Sequence, residues 1–438
     1  MKYPAIVTKS YLFKLSIPIF FSNLAIPMVG VVDTWLMGHQ GDASYLAAVS
    51  ISTSVISMIF WSFGFLRMST VGLVAQSYGK GDYREIVLIA IRNLVLASII
   101  GFGIIFLQYP ATALINQFFD PSIFTQGLIN DYISIRIFSA PAELTIYVLV
   151  GLFIGLQRTI ISSLLITFFC VINIFFSLLF VNSYKLGIDG VAFGTVLSAY
   201  LTVLLFLLFT YFFIRNKFSI IPRFRKVFLK RKILKLFNIN INIFIRTILL
   251  TFAFLLVTYH GATLGENYLA VNSILIQFII VASFFLDAYA FSTEGIVGYA
   301  VGRKSKKSFL SIVSNSFEIS IVTGLVISIL YLAFFKFIIN SLTDIEYIRF
   351  LSFSYVFWIV LIPPVASFCY QFDGIFIGAS QTNEMRNAMI SSVILFVALS
   401  FFLTEKLGNH GLWFSLLIFM ILRSVTLNFY FYKILKKF

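Results

Sequence analysis

The chain has 438 residues, of which 60% are hydrophobic and only 11% are charged, and its formal net charge is +15. Soluble domains carry about 25% charged residues, so this composition excludes a soluble globular protein and indicates that lipid surrounds most of the chain. The excess of Lys and Arg does not indicate a nucleic-acid partner, because these residues lie in a few short loops and no soluble basic domain is left to bind one.

Long apolar runs divide the chain into segments that can cross a membrane as helices, which takes about 20 apolar residues each. The first run is too long for the apolar region of a cleavable signal peptide, so we expect it to be the first spanning helix. The predicted fold class is therefore an all-α polytopic membrane protein. Its twelve predicted spans cover residues 12–38, 43–77, 86–115, 132–156, 160–181, 187–214, 233–259, 268–301, 309–339, 348–379, 385–403 and 411–432.

The charges of the connections predict the orientation of these spans. Lys and Arg concentrate at both chain ends and in the even-numbered connections, above all in residues 215–235, which hold no acid. Most loop acids, such as Asp42, Asp120 and Glu266, lie in the odd-numbered connections. Because cytoplasmic loops are enriched in Lys and Arg, we expect both termini to be cytoplasmic in a multi-pass protein of the cell inner membrane. The basic loop 215–235 also suits contact with anionic membrane lipid.

The two halves of the chain repeat one another at a constant offset of 223 residues, shown by Tyr45-Leu46-Ala47 and Tyr268-Leu269-Ala270. The same offset pairs Pro141 with Pro364, Gly151 with Gly374 and Gly155 with Gly378. Six spans per half is an even number, so both halves enter the membrane in the same orientation, as in parallel transporter repeats. We predict two six-helix bundles: an N-lobe at 1–214, a basic cytoplasmic linker at 215–235 and a C-lobe at 236–438.

One carboxylate stands out in the first predicted span. Asp33 follows Pro18 and Pro27, which leave backbone carbonyls without helical partners and permit bending. Charges at membrane depth are costly and therefore point to function. Two interpretations remain open from position alone: Asp33 couples protonation to the shape of the first helix, or it is a hydrated carboxylate near the outer interface. The aligned residue in the second half is Leu256.

The second half carries its own polar residues within predicted spans, namely Arg246, Asp287, Glu294 and Asp373. They predict either a purely structural buried network or a site that binds a cation or proton. In the first half, Arg67 and the pair of Arg136 with Glu143 are interpreted as structural contacts inside the bundle. Asn173 and Thr195, in the fifth and sixth spans, suit interhelical hydrogen bonds.

Motifs for other chemistry are missing from the sequence. It has no glycine-rich phosphate loop with Lys-Ser/Thr and no His, Cys or Asp cluster with metal-ligand spacing. Its two cysteines, Cys170 and Cys369, lie in apolar runs and predict no disulfide. We therefore expect no cofactor, no bound metal and no enzymatic activity. A membrane enzyme would need a convergent catalytic cluster, which the sequence does not show.

Several motifs resemble one family of transporters. They are Val32-Asp33-Thr34 with Gly38-His39, and the stretches 65–72, 135–141, 246–247, 373–387 and 408–413. Together they are similar to the DinF-like branch of the multidrug and toxic compound extrusion (MATE) family, and the resemblance covers nearly the whole chain. It implies two six-helix lobes around a central cavity and the export of organic cations or amphiphilic small molecules by antiport.

The resemblance also implies roles for individual residues. Asp33 corresponds to a protonation site in the first helix, which bends at the proline matching Pro18. The polar neighbours of that site correspond to Tyr132, Asn173 and Thr195. H⁺ is therefore the expected coupling ion, with Na⁺ as the alternative, and we expect a monomer.

Two positions depart from the family pattern. Many relatives carry an aspartate where this chain has Ser177, which weakens direct cation binding in the N-lobe. Sodium-coupled relatives often carry a glutamate near the position of Arg246, which argues against a sodium site there. The alternative function is a flippase for a lipid or lipid-linked precursor, which the small number of basic residues seen within the spans disfavours.

Overall fold

In a computed structural model, residues 7–119, 121–218 and 226–438 are described, and they form helices joined by short turns without any strand. A 3₁₀ turn, Ile137–Ser139, joins the sixth helix to the seventh, and a π-helical turn, Leu179–Ser183, extends the eighth. The helices are α1 Lys9–Gly38, α2 Ala43–Ser62, α3 Phe65–Lys80, α4 Tyr83–Phe106, α5 Gln108–Phe119, α6 Ile123–Arg136, α7 Ala140–Gly155, α8 Thr159–Leu178, α9 Gly187–Phe218, α10 Lys230–Leu264, α11 Glu266–Gly302, α12 Lys306–Leu342, α13 Glu346–Phe353, α14 Val356–Gly378, α15 Thr382–Leu407 and α16 Asn409–Leu435.

Within the described residues, twelve helical segments are long and apolar enough to cross a membrane. Each overlaps one of the predicted spans, and the predicted fold class is confirmed. Helices are expected here because a segment in lipid must pair its own backbone N–H and C=O groups.

Several predicted spans are interrupted rather than continuous. The second is broken between α2 and α3, the third between α4 and α5, and the fourth by the 3₁₀ turn before α7. The tenth starts only after α13, which is a separate short helix. Pro110 and Pro141 lie in the first turns of α5 and α7, where a helix does not use the missing N–H, so each proline marks a restart of the helix.

The described chain divides into two compact units. The N unit is Phe21–Leu236, and the C unit is Phe237–Phe438 together with residues 7–20. The sequence-based boundaries place all of α1 in the N-lobe, whereas packing assigns its first part to the C unit. Contacts inside the C unit hold that part: the Asn315 side chain donates to the carbonyl of Val7 at 2.6 Å, and the hydroxyls of Ser16 and Ser292 lie 2.7 Å apart.

Three features expected from the sequence lie outside the described residues: Lys2 at the chain start, Asp120 in the third connection, and 219–225 within the basic linker 215–235. The rest of the linker is largely helical, since α9 continues to Phe218 and α10 starts at Lys230.

The internal repeat reappears in how helices cross within each unit. A Cβ atom added to Gly101 of α4 would lie 2.4 Å from Cα of Pro141 in α7, and one added to Gly324 of α12 would lie 2.9 Å from Cα of Pro364 in α14. These two crossings are related by the offset of 223. The offset also relates a second pair of crossings, Gly155 against Val74 and Gly378 against Val297. Only glycine permits such close approach, so the repeated glycines preserve the same packing in both halves.

Candidate functional site

Asp33 lies in the part of α1 that belongs to the N unit, and only 4% of its surface is exposed. The guanidinium of Arg136 is within electrostatic range of its carboxyl group, and the Ser177 hydroxyl lies beside it. Neither Oδ1 of Asp33 nor Oγ of Ser177 has a hydrogen-bond partner at normal distance and angle. Burying a charge without full pairing is costly, so a proton on this carboxyl group would relieve that cost.

Arg136, whose charge acts on the Asp33 carboxyl group, is already paired with another acid. Its Nη1 atom lies 2.6 Å from Oε1 of Glu143, and it also donates to the Ser139 hydroxyl. That hydroxyl in turn donates to Glu143 at 2.9 Å. The guanidinium stacks over the ring of Phe60, with 5.2 Å to the ring centroid. The contact predicted for Arg136 and Glu143 is present, and Asp33 therefore shares a cation that Glu143 largely neutralises.

Tyr132 and Asn173 add neutral polar groups to the same unit. Tyr132, on α6, is buried and lies within electrostatic range of both Arg136 and Asp33. Asn173, on α8, donates its side-chain N–H to the Thr195 hydroxyl on α9 at 2.9 Å, while its Oδ1 has no partner. Asn173 and Ser177 are four residues apart and so share one face of α8.

A glycine allows α8 and α9 to approach closely at this site. A Cβ atom on Gly194 would lie 2.9 Å from Oγ of Ser177. Asp33 thus lies beside Ser177 and within electrostatic range of Tyr132 and Arg136, while Asn173 and Thr195 are joined to each other by a hydrogen bond.

The prolines predicted to kink the first helix lie within a continuous helix, since α1 runs from Lys9 to Gly38 through both of them. Pro18 lies in the part of α1 that packs in the C unit, and Pro27 in the part that packs in the N unit. Each proline removes one backbone hydrogen bond from the helix. α1 therefore has fewer internal backbone hydrogen bonds than a helix of the same length without proline.

The C unit contains a buried ionic cluster around Asp373. Both Arg246 and Arg423 donate an Nη2 hydrogen bond to the same carboxylate oxygen, Oδ2, and the Arg423 bond is 2.7 Å long. The two arginines are 7% and 3% exposed, respectively. The Nε atoms of both are buried without a partner. The predicted contact of Arg246 with Asp373 is present, whereas Arg423 was not anticipated.

The other two acids predicted for this network occupy different surroundings. Asp287, on α11, is within electrostatic range of Cys369 and Tyr370 on α14. Glu294 is buried seven residues further along α11, where its carbonyl approaches the position of Gly378.

Several charged residues inside the predicted spans were not singled out from the sequence, among them Arg423, Glu318 and Arg92. Arg423 joins the cluster at Asp373, Glu318 pairs with Lys9 inside the C unit, and Arg92 is buried in α4. Arg92 donates to the backbone carbonyls of residues 226 and 227 at 2.8 Å each and so fastens the described end of the linker. All three stand in apolar runs, so a systematic scan for charges inside predicted spans would have found them.

Among the residues that the structure describes, no group of three or more His, Cys, Asp or Glu side chains is placed to hold a metal ion. The two cysteines are both free and buried. Buried carboxylates, arginines and neutral hydrogen-bonding groups are therefore the chemistry these units offer.

Comparisons with known proteins agree with one another. The model of the MatE family matches residues 18–179 and 243–402. The DNA damage-inducible protein F of Escherichia coli (strain K12) is 32% identical over 416 residues, covering 95% of this chain and 90% of that protein. The multidrug export protein MepA of Staphylococcus saprophyticus is 22% identical over 278 residues, 62% of this chain and 61% of that protein.

A solved structure shares the fold. It is described as the outward-facing conformation of a multidrug resistance MATE family transporter of the MOP superfamily. It superposes with a TM-score of 0.88 at 18% identity and covers 99% of this chain and 97% of that one. At this identity the likeness concerns the fold alone.

Proposed function

Because this chain belongs to the MatE family, and is thus a multidrug and toxic-compound efflux transporter rather than an enzyme, we propose that it exchanges outside protons for organic cations or amphiphilic small molecules. The coupling site is Asp33. The single observation that carries this proposal is a buried carboxyl group whose Oδ1 has no partner, while Arg136, the cation that acts on it, is bound to Glu143.

Protonation of Asp33 is the chemical step of the cycle. A proton from outside binds the carboxylate and removes a charge that is 96% buried and incompletely paired. Arg136 then relaxes toward Glu143, to which it is already bonded. A protonation that favours one conformation by a few kcal/mol is enough to shift the balance between the two access states. Release of the proton on the inner side resets the site.

The first helix transmits this change. Asp33 and Pro27 lie in the N unit, while Pro18 lies where α1 packs in the C unit. A helix with two prolines bends more easily because two of its backbone hydrogen bonds are missing. Neutralising Asp33 therefore changes the preferred shape of α1 and displaces bound substrate. Tyr132, Asn173, Thr195 and Ser177 supply the neutral polar contacts around the coupling site.

We favour H⁺ over Na⁺ as the coupling ion because the two units offer few free carboxylate oxygens to bind sodium. Sodium needs several oxygen ligands, and the Asp373 carboxylate is engaged by the guanidinium groups of Arg246 and Arg423. Around Asp33, Ser177 stands where many relatives carry a second carboxylate, which leaves one acid too few for a strong cation site. The coupling ion is thus H⁺, and no cofactor takes part.

A lipid flippase is the alternative function. A flippase is expected to carry many basic residues within its membrane spans. Four arginines within the described helices face acids or backbone: Arg136 binds Glu143, Arg246 and Arg423 bind Asp373, and Arg92 binds backbone carbonyls. These four paired groups do not form a free positive lining for a phosphate, so we rank export of small molecules first. The protein acts as a monomer in the cell inner membrane with both termini in the cytoplasm.

The test is transport in proteoliposomes. A fluorescent organic cation is followed under an imposed proton or sodium gradient for the wild type, Asp33→Asn, Asp287→Asn and the control Asp344→Asn, whose carboxylate is fully exposed. We expect proton-driven transport to be lost only in Asp33→Asn. Sodium-driven transport indifferent to Asp33 but lost in Asp287→Asn would move coupling to the C unit. No cation transport under either gradient would favour the flippase.

A further inference from the structure

A cavity of about 760 Å³ lies in the N unit between α5 and α6, and Asp33 is not among the residues that line it. Two stripes of uncharged side chains face each other across it: Gln108, Thr112 and Gln117 from α5, and Gln126, Asn130 and Ser134 from α6. The α6 residues follow one another at intervals of four, which places them on one face of that helix. The opposite, buried face of α6 carries Tyr132. The cavity is therefore a feature separate from the coupling site.

One amide oxygen at the cavity is not satisfied by the protein itself. Oε1 of Gln108 is buried and has no hydrogen-bond partner, and the side chains of Gln117 and Gln126 line the same cavity. A buried amide oxygen without a partner is unfavourable, which indicates that the protein alone does not satisfy this site. The Thr112 and Ser134 hydroxyls bond to carbonyls of their own helices and complete a hydrogen-bonding wall.

The absence of charged side chains from the described lining favours an uncharged ligand. The described lining contains no Lys, Arg, Asp or Glu, so it offers no counter-charge to a phosphate or an ammonium group. Each glutamine amide both donates and accepts, which matches the hydroxyl group, itself a donor and an acceptor. Tyr109 adds an aromatic ring to the lining. A hydroxyl-rich, uncharged group with an apolar ring face, such as a sugar, fits these properties.

The surroundings of the cavity point to a lipid as the carrier of this group. Phe106 and Leu107 precede α5, Ile123 and Phe124 begin α6, and all four are exposed, with Ile123 reaching 88%. α5 follows the end of one membrane-spanning segment and precedes the next. A short helix in that position, between exposed apolar residues, suits the boundary between acyl chains and head groups. The cavity therefore opens where a lipid would present its head group.

We propose that this cavity binds the uncharged sugar head group of a glycolipid, with the amides of Gln117 and Gln126 as its principal hydrogen-bonding groups. The acyl chains of the same lipid then lie against Phe106 and Ile123. The site does not depend on the transport mechanism, because none of its lining residues belongs to the set around Asp33.

The test uses the full-length protein in nanodiscs of phosphatidylethanolamine and phosphatidylglycerol. A small fraction of monoglucosyl diacylglycerol carries a photoreactive diazirine on its sugar, and cross-linked peptides are identified by mass spectrometry. The variants are Gln117→Leu, Gln126→Leu and their combination. The control is Asn340→Leu, which changes an exposed amide at the end of α12.

We expect cross-links to concentrate in residues 108–134 and to fall about tenfold in the double variant, as loss of two hydrogen bonds predicts, but not in the control. Equal labelling of the same peptides by a phosphatidylethanolamine that carries the same diazirine on its head group would overturn the proposal. Equal labelling by a soluble diazirine glucoside, in nanodiscs without glycolipid, would overturn the lipid as the source of the sugar. Transport assays are not involved, so failure of proton coupling leaves this result interpretable.

Discussion

The cluster around Asp373 predicts an unusual order of stabilities. Oδ2 of Asp373 accepts from Nη2 of both Arg246 and Arg423, and these three side chains are at most 11% exposed. Asp373→Asn removes the counter-charge of two buried guanidinium groups at once. Arg423→Gln removes one donor and leaves Arg246 paired one-to-one with the acid. Asp373→Asn should therefore lower the stability of the protein more than Arg423→Gln does.

The magnitudes follow from the cost of unpaired buried charge. Removing one partner of a buried ion pair costs about 3–5 kcal/mol, and Asp373→Asn strands two cations rather than one. Arg423→Gln loses a charge-assisted hydrogen bond, about 1.5–3 kcal/mol, without stranding a charge. We expect the two variants to differ by at least about 1 kcal/mol, or about 2–4 °C in melting temperature for a unit of this size.

The assay is thermal unfolding in detergent, followed by the loss of the monodisperse peak in size-exclusion chromatography. Asp344→Asn is the matched control, because the Asp344 carboxylate is fully exposed and its pair with Arg349 should contribute little. The double variant Arg423→Gln with Asp373→Asn should recover part of the loss of Asp373→Asn, since one stranded cation disappears. Finding Arg423→Gln as damaging as Asp373→Asn would refute the charge reasoning.

Two further predictions concern packing and coupling in the N unit. Gly101→Ala places a methyl group 2.4 Å from Cα of Pro141 and should lower the melting temperature by several degrees, whereas Gly103→Ala on the same helix meets nothing within 4 Å and should be neutral or slightly stabilising. Equal effects in the two variants would contradict the proposed crossing of α4 and α7. Glu143→Gln frees Arg136 from its 2.6 Å partner and lets it neutralise Asp33, so proton-driven transport should need a lower outside pH. Its pH profile in proteoliposomes is compared with that of Glu384→Gln, which breaks a pair with Lys433 in the C unit and should leave the profile unchanged.

The fold was largely predictable because a membrane restricts the secondary structures that an apolar segment can adopt. An apolar run of sufficient length must become a helix, so all twelve spans could be located before any contact was known. The internal repeat was equally visible, because glycine and proline at matched positions are required by the crossings they form, as Gly324 and Pro364 show. Interruptions were harder to predict: the breaks before α3 and α14 fall inside apolar sequence, where composition does not change.

The sequence could predict which residues belong to the candidate site, but not which residues they contact. Asp33, Asn173 and Thr195 are conspicuous because polar groups in apolar runs are expensive. The residues that these polar groups contact are not apparent from the sequence, because the contacts depend on which faces of distant helices pack together. The sequence offered no reason to bring Arg423 to Asp373, 50 residues away, or to bring Arg136 within electrostatic range of Asp33.

The amino-acid sequence by itself determined the membrane environment, the number of spans, the repeat and the residues able to carry charge, because these follow from local apolarity and residue type. Tertiary structure alone decided which charges are paired, which part of α1 packs with the C unit, and where amides such as Gln108 remain unsatisfied. Those outcomes depend on contacts between residues far apart in the chain, and hydropathy carries no information about the direction in which a helix face points.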